Sequence, residues 1–535
     1  MNHSKITVSL ALVTALLTTG YSSPARGQEL VLKSDNQKLA NTFNWAVEKA
    51  QTFTMTGKTA KANSGEDGPT IGYKESISCI PSYWAGYANR TAFYCRDFSR
   101  QSLGAHLVGL DEENFSMYEA FAKHCTEDKQ WYTWWALNFD GSVYTLDAPN
   151  PPGEKPYPGY PADFKNPKGE RFVREVPANF NLIFNAYKCY LWTGDKRYLT
   201  NPFMKNFREK SMNEFFAIHD KDKNGIPEGQ GDIWVGSASY NERDLHPKEA
   251  GDAVSLIYAA RLAYAGFLEA AGEKQQASIE KEKAQKLYRY FNDEWSRMPG
   301  DSMHVSAIRQ DGSKYNRFTK ETTFLMPIYG ITEPGKRNDQ LLEYIKKEIG
   351  DGLGSPKAGP KAMTNIESYT YLPELFFAYN LVEDAYKFVN YITDRLNETH
   401  ELGSQGPNSE FPEVAFTMIS NLVEGMMGVQ ANAPQRTICS VPRLPSDTKY
   451  ATVSNLKVGK QLFELTHRQN TFSELKYTEG KEKYKWEAAF YGKYPSLQVN
   501  GKAVKARLKK LNGLVVSYVQ AEVLPGATIR VELPK

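Results

Sequence analysis

Three short segments put carboxylates beside aromatic and amide side chains, each just ahead of a helical stretch. The first is Gly225-Ile-Pro-Glu-Gly-Gln-Gly-Asp-Ile-Trp234, which holds Glu228 and Asp232. The second is Asn408-Ser-Glu-Phe-Pro-Glu-Val414, with Glu410 and Glu413. The third is Tyr94-Cys-Arg-Asp-Phe98, with Arg96 and Asp97. Cutting the bond between two sugars needs one carboxyl that gives a proton and another that stays ionised. Flat rings hold the sugar between them. These residue types in helix-edge loops therefore point to carbohydrate chemistry.

Roles follow from local surroundings. Asp232 lies between a Gly-rich turn and Trp234, an apolar ring that can keep an acid protonated, so it is the expected general acid, with Glu228 as rival. Glu413, beside Pro412 at a helix start, or Glu410 just before it, is the expected base. An acid in a first helical turn is also ordinary capping chemistry, and that alternative stays open. Asp97 would accept sugar hydroxyls with Arg96 orienting it, or the two form a plain ion pair. Trp134, in the Trp131, Trp134 and Trp135 cluster, and Tyr240 are candidate pocket walls, with core burial as the alternative. Glu367 and Glu321 are helix-start acids that either cap or touch substrate. His106 reads as a core histidine.

Asp220-Lys-Asp-Lys-Asn-Gly225 matches the opening of a calcium loop, with Asp220, Asp222 and Asn224 in the ligand positions. Gly231 falls where the closing Glu should be, so a full EF-hand is excluded. A partial loop closed by Asp232 or Glu228, or a tight Asx turn, is left. No other cofactor is expected. Tyr240, Asn241, Arg243 and His246 keep a different chemistry in view. A polysaccharide lyase needs a Tyr or His base and a cation for a uronate carboxylate. A glycan-binding protein without an acid pair is the third reading.

Apolar residues recur with helical period from about residue 34 to 429. Leu39, Phe43, Ala46, Val47 and Ala50 form one stripe, and Phe115, Tyr118, Ala122 and Cys125 another, behind Asp111. Further helices are expected over residues 179–192, 204–218, 249–271, 275–295, 339–349, 369–378, 384–396 and 414–427. After 429 the period becomes two, and Asn500-Gly501 and Asn512-Gly513 signal hairpins. The expectation is a helical body over residues 76–432, preceded by a helix and leader over 26–75. A small antiparallel β-domain over 440–535 follows, with a structural role.

The chain of 535 residues is long enough for two domains, and its 13% aromatic content leaves rings for a sugar groove. A net charge of +3 gives no nucleic-acid footprint. Lys5, the apolar run from Ile6 to Leu17 and Ser23-Pro-Ala25 read as a secretory signal over residues 1–25, too short to span a bilayer. The mature protein is expected in the periplasm or outside the cell, with no other membrane span. Five cysteines without CxxC spacing indicate neither zinc nor redox chemistry and leave at least one thiol unpaired.

Paired helices followed by a small β-domain resemble the six-hairpin glycosidases. Arg96-Asp97 after Tyr94 is similar to the Arg-Asp motif of glucoamylase-type enzymes, which clamps the terminal sugar. The stretch 181–195, ending Tyr-Leu-Trp-Thr-Gly-Asp, resembles a helix-end phrase of that superfamily. Glu228 and Asp232-Ile-Trp234, followed by residues 253–272, are similar to the YDxW region of family 116 β-glucosidases, with Gly231 in place of the Tyr. Residues 428–445 resemble the exit into the β-sandwich of rhamnosidase-like members. The resemblance covers most of residues 80–535. It implies a mainly α fold, an (α/α)6 toroid followed by an antiparallel β-sandwich. The three acid-bearing loops favour an exo-acting glycoside hydrolase on a plant, algal or host glycan, with a two-carboxylate, inverting mechanism, and no single family's catalytic pair matches in full.

Overall fold

The computed structural model describes residues 29–61, 76–87, 92–144, 172–233, 235–241, 246–300, 302–401 and 403–534. The signal segment, Trp234 and Arg243 lie outside them.

The helical body is built from α1 (Gln37–Thr52), α2 (Cys95–Leu107), α3 (Asp111–Lys123), α4 (Val176–Thr193), α5 (Pro202–Met212), α6 (Gly251–Ala270), α7 (Lys274–Tyr290), α8 (Lys336–Ile349), α9 (Tyr371–Ala378), α10 (Val382–Asp394) and α11 (Pro412–Ser420). Local chemistry sets their ends. Asn36 caps α1 by accepting from the Leu39 N–H at 3.1 Å. Asn201 caps α5 ahead of Pro202, and Gly194, with φ at 66°, ends α4 in the left-handed region.

Alternate helices form a closed sequence of neighbours. α2 packs on α4, α4 on α6, and α6 on residues 320–328; that segment meets α9, and α11 returns to α2. The others flank it: α7 lies on α6, α10 on α9 and α1 on α11. Because one outer helix separates successive inner ones, the inner helices run the same way and their first turns gather at one mouth. The approach is close. A Cβ on Gly104 of α2 would stand 2.2 Å from the Phe416 carbonyl oxygen of α11. One described helix, α6, is long and apolar enough to cross a membrane. This corrects the expectation that no such stretch follows the signal. Most of its apolar residues are buried within the helical body, with Leu262 exposed.

Two sheets follow. Their strands are β1 (Val31–Ser34), β2 (Gln430–Asn432), β3 (Thr437–Ser440), β4 (Tyr450–Val458), β5 (Gln461–Arg468), β6 (Phe472–Glu479), β7 (Tyr484–Tyr491), β8 (Ser496–Val499), β9 (Lys502–Lys505), β10 (Arg507–Leu511), β11 (Leu514–Val523) and β12 (Thr528–Glu532). The seven-stranded sheet has the order β1-β4-β5-β6-β12-β8-β9, and the five-stranded one β10-β11-β7-β3-β2. Phe463 of the first meets Tyr484 of the second at 5.2 Å. Asn500-Gly501 and Asn512-Gly513 make the expected tight turns, all four with positive φ. Two features differ from the sequence reading. The N-terminal leader supplies β1, paired with β4, and β3 runs parallel to β7. The sheets cover the far ends of the inner helices. Lys457 reaches Asp111 at 2.7 Å, the Gly459 N–H donates to the Trp192 carbonyl at 2.8 Å, and His467 meets the Met427 carbonyl at 3.0 Å. Buried His106 bridges Asp111 and the Lys457 carbonyl, so it is a structural histidine.

Candidate active site

At the mouth, the inner segments other than α4 contribute charge from their first two turns or from the turn just ahead. α2 brings Arg96, Asp97 and Arg100; α6 brings Asp252; residues 320–321 bring Lys320 and Glu321; the turn Ile366–Tyr369 brings Glu367; α11 brings Glu413. Asp97, Asp252, Glu321, Glu367 and Glu413 are all buried. Acids at helix N-termini gain from the backbone dipole, which offsets part of the cost of burying them.

Lys320 Nζ pairs with Glu367 Oε1 and stands 3.5 Å from Glu321. Glu367 also accepts from Tyr87 Oη at 3.1 Å and Asn365 Nδ2 at 3.2 Å, with Arg96 at 3.9 Å. Arg96 donates to the Tyr240 carbonyl at 3.1 Å and lies over its ring. Glu413 Oε1 accepts from Thr370 Oγ1 at 2.6 Å and Arg100 Nε at 3.3 Å. Burial pushes the Glu413 carboxyl above the ordinary range; Arg100 and Lys320 pull it down, and the charge of Asp97 pushes it further up. Burial also draws the Lys320 ammonium below its usual value, against the charge of Glu321. Asp252 accepts from the Tyr240 N–H at 2.7 Å and Ser239 Oγ at 2.9 Å, and burial pushes it up to about 7.

Asp97 differs from its neighbours. It is 6% exposed and, among the described residues, accepts no hydrogen bond and makes no ion pair. Water or a ligand at the mouth is left to supply donors to its oxygens.

The structure thus brings together Arg96, Asp97, Tyr240, Glu367 and Glu413. Asp232 lies half-exposed on the loop ahead of α6, its carbonyl accepting from the Val235 and Gly236 N–H groups. Glu410 faces outward, paired with Lys49 of α1 at 2.7 Å. Glu228 pairs with Lys248 at 3.2 Å. The same ammonium lies 2.6 Å from Asp222 and 3.8 Å from Glu249, so a lysine already supplies positive charge to the candidate calcium loop. Asp220 accepts from the Gly225 N–H at 3.0 Å, and Asn224 donates to Glu249 at 2.9 Å. Trp134 is buried against Phe172 at 4.6 Å, a core ring. Tyr240 is buried, and that burial holds its phenol well above the ordinary range, which opposes a role as lyase base. The Asn241 N–H donates to Ser239 Oγ at 3.0 Å, and the His246 carbonyl accepts from Gln310.

No protein-family profile matches the chain, and no curated protein sequence matches it. Solved structures do. The α-L-rhamnosidase from Dictyoglumus thermophilum matches 95% of this chain and 50% of its own, with a TM-score of 0.57 at 13% identity. The GH78 family rhamnosidase of Bacillus sp. GL1 matches 85% of this chain and 41% of its own, at 0.53 and 10%. A sialidase matches 83% of this chain and 38% of its own, at 0.50 and 12%. The chain shares the fold of the six-hairpin glycosidases. It spans half or less of the length of these three structures. Identity this low carries the fold alone.

Sequence reasoning missed Arg100, Asp252, Lys320, Thr370 and Tyr371. The signal was the position shared by all five: each sits in the first two turns of an inner segment.

Proposed function

We propose that the chain is a secreted glycoside hydrolase acting on a poly- or oligosaccharide at this mouth. In this reading the inner helices are the (α/α)6 toroid, the two sheets the β-sandwich, and no cofactor takes part. The observation that carries it is Asp97. A largely buried carboxylate with no donor among the described residues, in a mouth with other acids and with Arg96, Arg100 and Lys320, suits vicinal sugar hydroxyls, each of which brings a donor.

The two-carboxylate roles follow from environment. Burial and the Asp97 charge raise the Glu413 carboxyl, which suits it to give the proton to the leaving oxygen. That reverses the role expected from sequence. Asp232, half-exposed on its loop, is reached by water and becomes the candidate base. Inversion requires Asp232 to hold a water facing Glu413, and a body closed at its far end by the β-domain favours exo action from a chain end. Arg96 and Lys320 hold Glu367 in place for substrate contact.

The test is product analysis of the purified protein on plant, algal and host glycans, with and without chelator. A saturated monosaccharide whose first-formed anomer is inverted supports the reading. A product absorbing as an unsaturated uronate moves it to a lyase. Binding without turnover across the panel leaves a glycan-binding protein and overturns the proposal.

A further inference from the structure

The outer face of the seven-stranded sheet carries a second polar concavity, remote from the mouth. Tyr450 of β4 stands opposite Arg468 of β5, and Thr452 opposite Thr466, so these four side chains share one face. Arg468 is in turn opposite Phe472 of β6, its guanidinium 5.0 Å from the ring centre. An aromatic–arginine–aromatic row therefore crosses three strands. With Lys449 and Gln469, the first four side chains line a space of about 430 Å³.

Two properties of this face bear on what it could hold. Tyr450 is 39% exposed, a flat apolar ring left open to water. Lys33 (opposite Thr452 on β1), Lys449 and Arg468 make no ion pair among the described residues. Farther along the same face, Glu474, opposite Thr466, is already paired with Arg530. Asp35 lies beside Lys449, but its carboxylate is taken up by the Lys449 and Tyr450 N–H groups at 3.0 and 3.1 Å. The face thus offers a stacking ring, hydroxyl and amide partners, and a cation surplus.

We propose that this face binds an anionic oligosaccharide chain, one bearing carboxylate or sulfate groups. A pyranose ring stacks on Tyr450, as sugars do on open aromatic faces, while the amide of Gln469 and the threonine hydroxyls meet its polar edge. Arg468 and Lys449 pair with the acidic substituents, Arg468 through its fork of donors. A neutral chain would leave these cations uncompensated. The proposal does not depend on the catalytic reading, since the face lies on the β-domain and shares no residue with the mouth.

The experiment is affinity electrophoresis of the full-length protein in native gels. The gels contain polygalacturonate, a carboxylate polymer; chondroitin sulfate; a neutral β-glucan; or single-stranded DNA. Retardation by one or both acidic glycans and not by the β-glucan is expected, and the two acidic gels separate carboxylate from sulfate. Tyr450→Ala and Arg468→Ala should each weaken the retardation about tenfold, the scale of one lost stacking or charged contact. Lys510→Ala, on the other sheet, removes the same charge and should change nothing. Asp97→Asn should also leave retardation intact, so loss of catalysis and loss of this binding are told apart. Equal retardation by DNA, equal loss in Lys510→Ala, or full retardation in both face variants would overturn the proposal. Thermal melts of each variant exclude unfolding as the cause.

Discussion

Arg100 donates from Nε to Oε1 of Glu413 at 3.3 Å, and neither side chain is more than 5% exposed. The guanidinium also lies 3.4 Å from the centre of the Tyr371 ring and reaches Glu374 at 3.2 Å. One cation is therefore shared between two acids, only one of them sealed from water. Arg100 makes ionised Glu413 tolerable, while burial and Asp97 make it costly. A carboxyl under such opposed forces can change protonation during a reaction, which a simple ion pair does not do.

Glu413→Gln should therefore lower turnover by about 10²–10⁴-fold, the usual range for a lost general acid. Asp97→Asn should act on binding, lowering kcat/KM through lost charged hydrogen bonds worth about 1.5–3 kcal/mol each. Both should keep wild-type melting curves within a few degrees. Steady-state kinetics on the released sugar checks this, and wild-type rates in both variants would remove the pair from the mechanism.

Asp252 gives a prediction in pH. Its carboxyl is pushed from 3.8 up to about 7 in the folded chain by burial. The unfolded chain therefore loses this proton first. Stability from the group is fully present below about pH 3.8 and is lost as pH rises towards 7. Asp252→Asn keeps an acceptor for the Tyr240 N–H and Ser239 hydroxyl and removes the titration. It should be about 1–3 kcal/mol more stable than wild type at pH 8, with the gap closing by pH 4.5. Denaturant melts at the two pH values decide it, and a gap that widens towards acid would refute it.

The helices were legible because their apolar residues recur with helical period, Pro412 marks one start, and Asn500 and Asn512 mark hairpins. The mouth was legible only in pieces. Arg96-Asp97 and Glu413 stood out as short motifs, yet nothing local says that Lys320 meets Glu367 or that Asp252 holds Tyr240. Those contacts exist because the inner helices close on one another, a long-range outcome. Pairing of β1 with β4 was hidden for the same reason. Glu410 misled because its neighbours in sequence belong to the mouth, while its side chain points to α1.

Lys248 bears on calcium. Burial alone would lower its ammonium, but hydrogen bonds to Asp222 and Glu228 raise it above the ordinary lysine value, so it stays charged among three acids. A chelator should leave the wild-type melting temperature unchanged. Lys248→Met should lose about 1–3 kcal/mol at pH 7 by leaving the carboxylates uncompensated, and part should return when calcium is added. Calorimetry with and without the ion checks both. A wild-type melt that falls on chelation would mean that the loop binds metal beside the lysine.

Gly104 tests whether helix closure holds the mouth together. Replacing Gly with Ala inside a helix normally gains about 1 kcal/mol of helix propensity. Here the new Cβ would stand 2.2 Å from the Phe416 carbonyl oxygen, 2.8 Å from its carbonyl carbon and 2.9 Å from its Cα. All three atoms are backbone, so no side-chain rotation relieves the overlap, and α2 and α11 must separate. Overpacking of this kind costs about 1–3 kcal/mol or more, which outweighs the propensity gain. Gly104→Ala should therefore lower stability. Because Asp97 and Arg100 ride on α2 and Glu413 on α11, it should also lower turnover more than its melting temperature alone explains. A variant that melts at or above wild type would show that the two helices can part without loss.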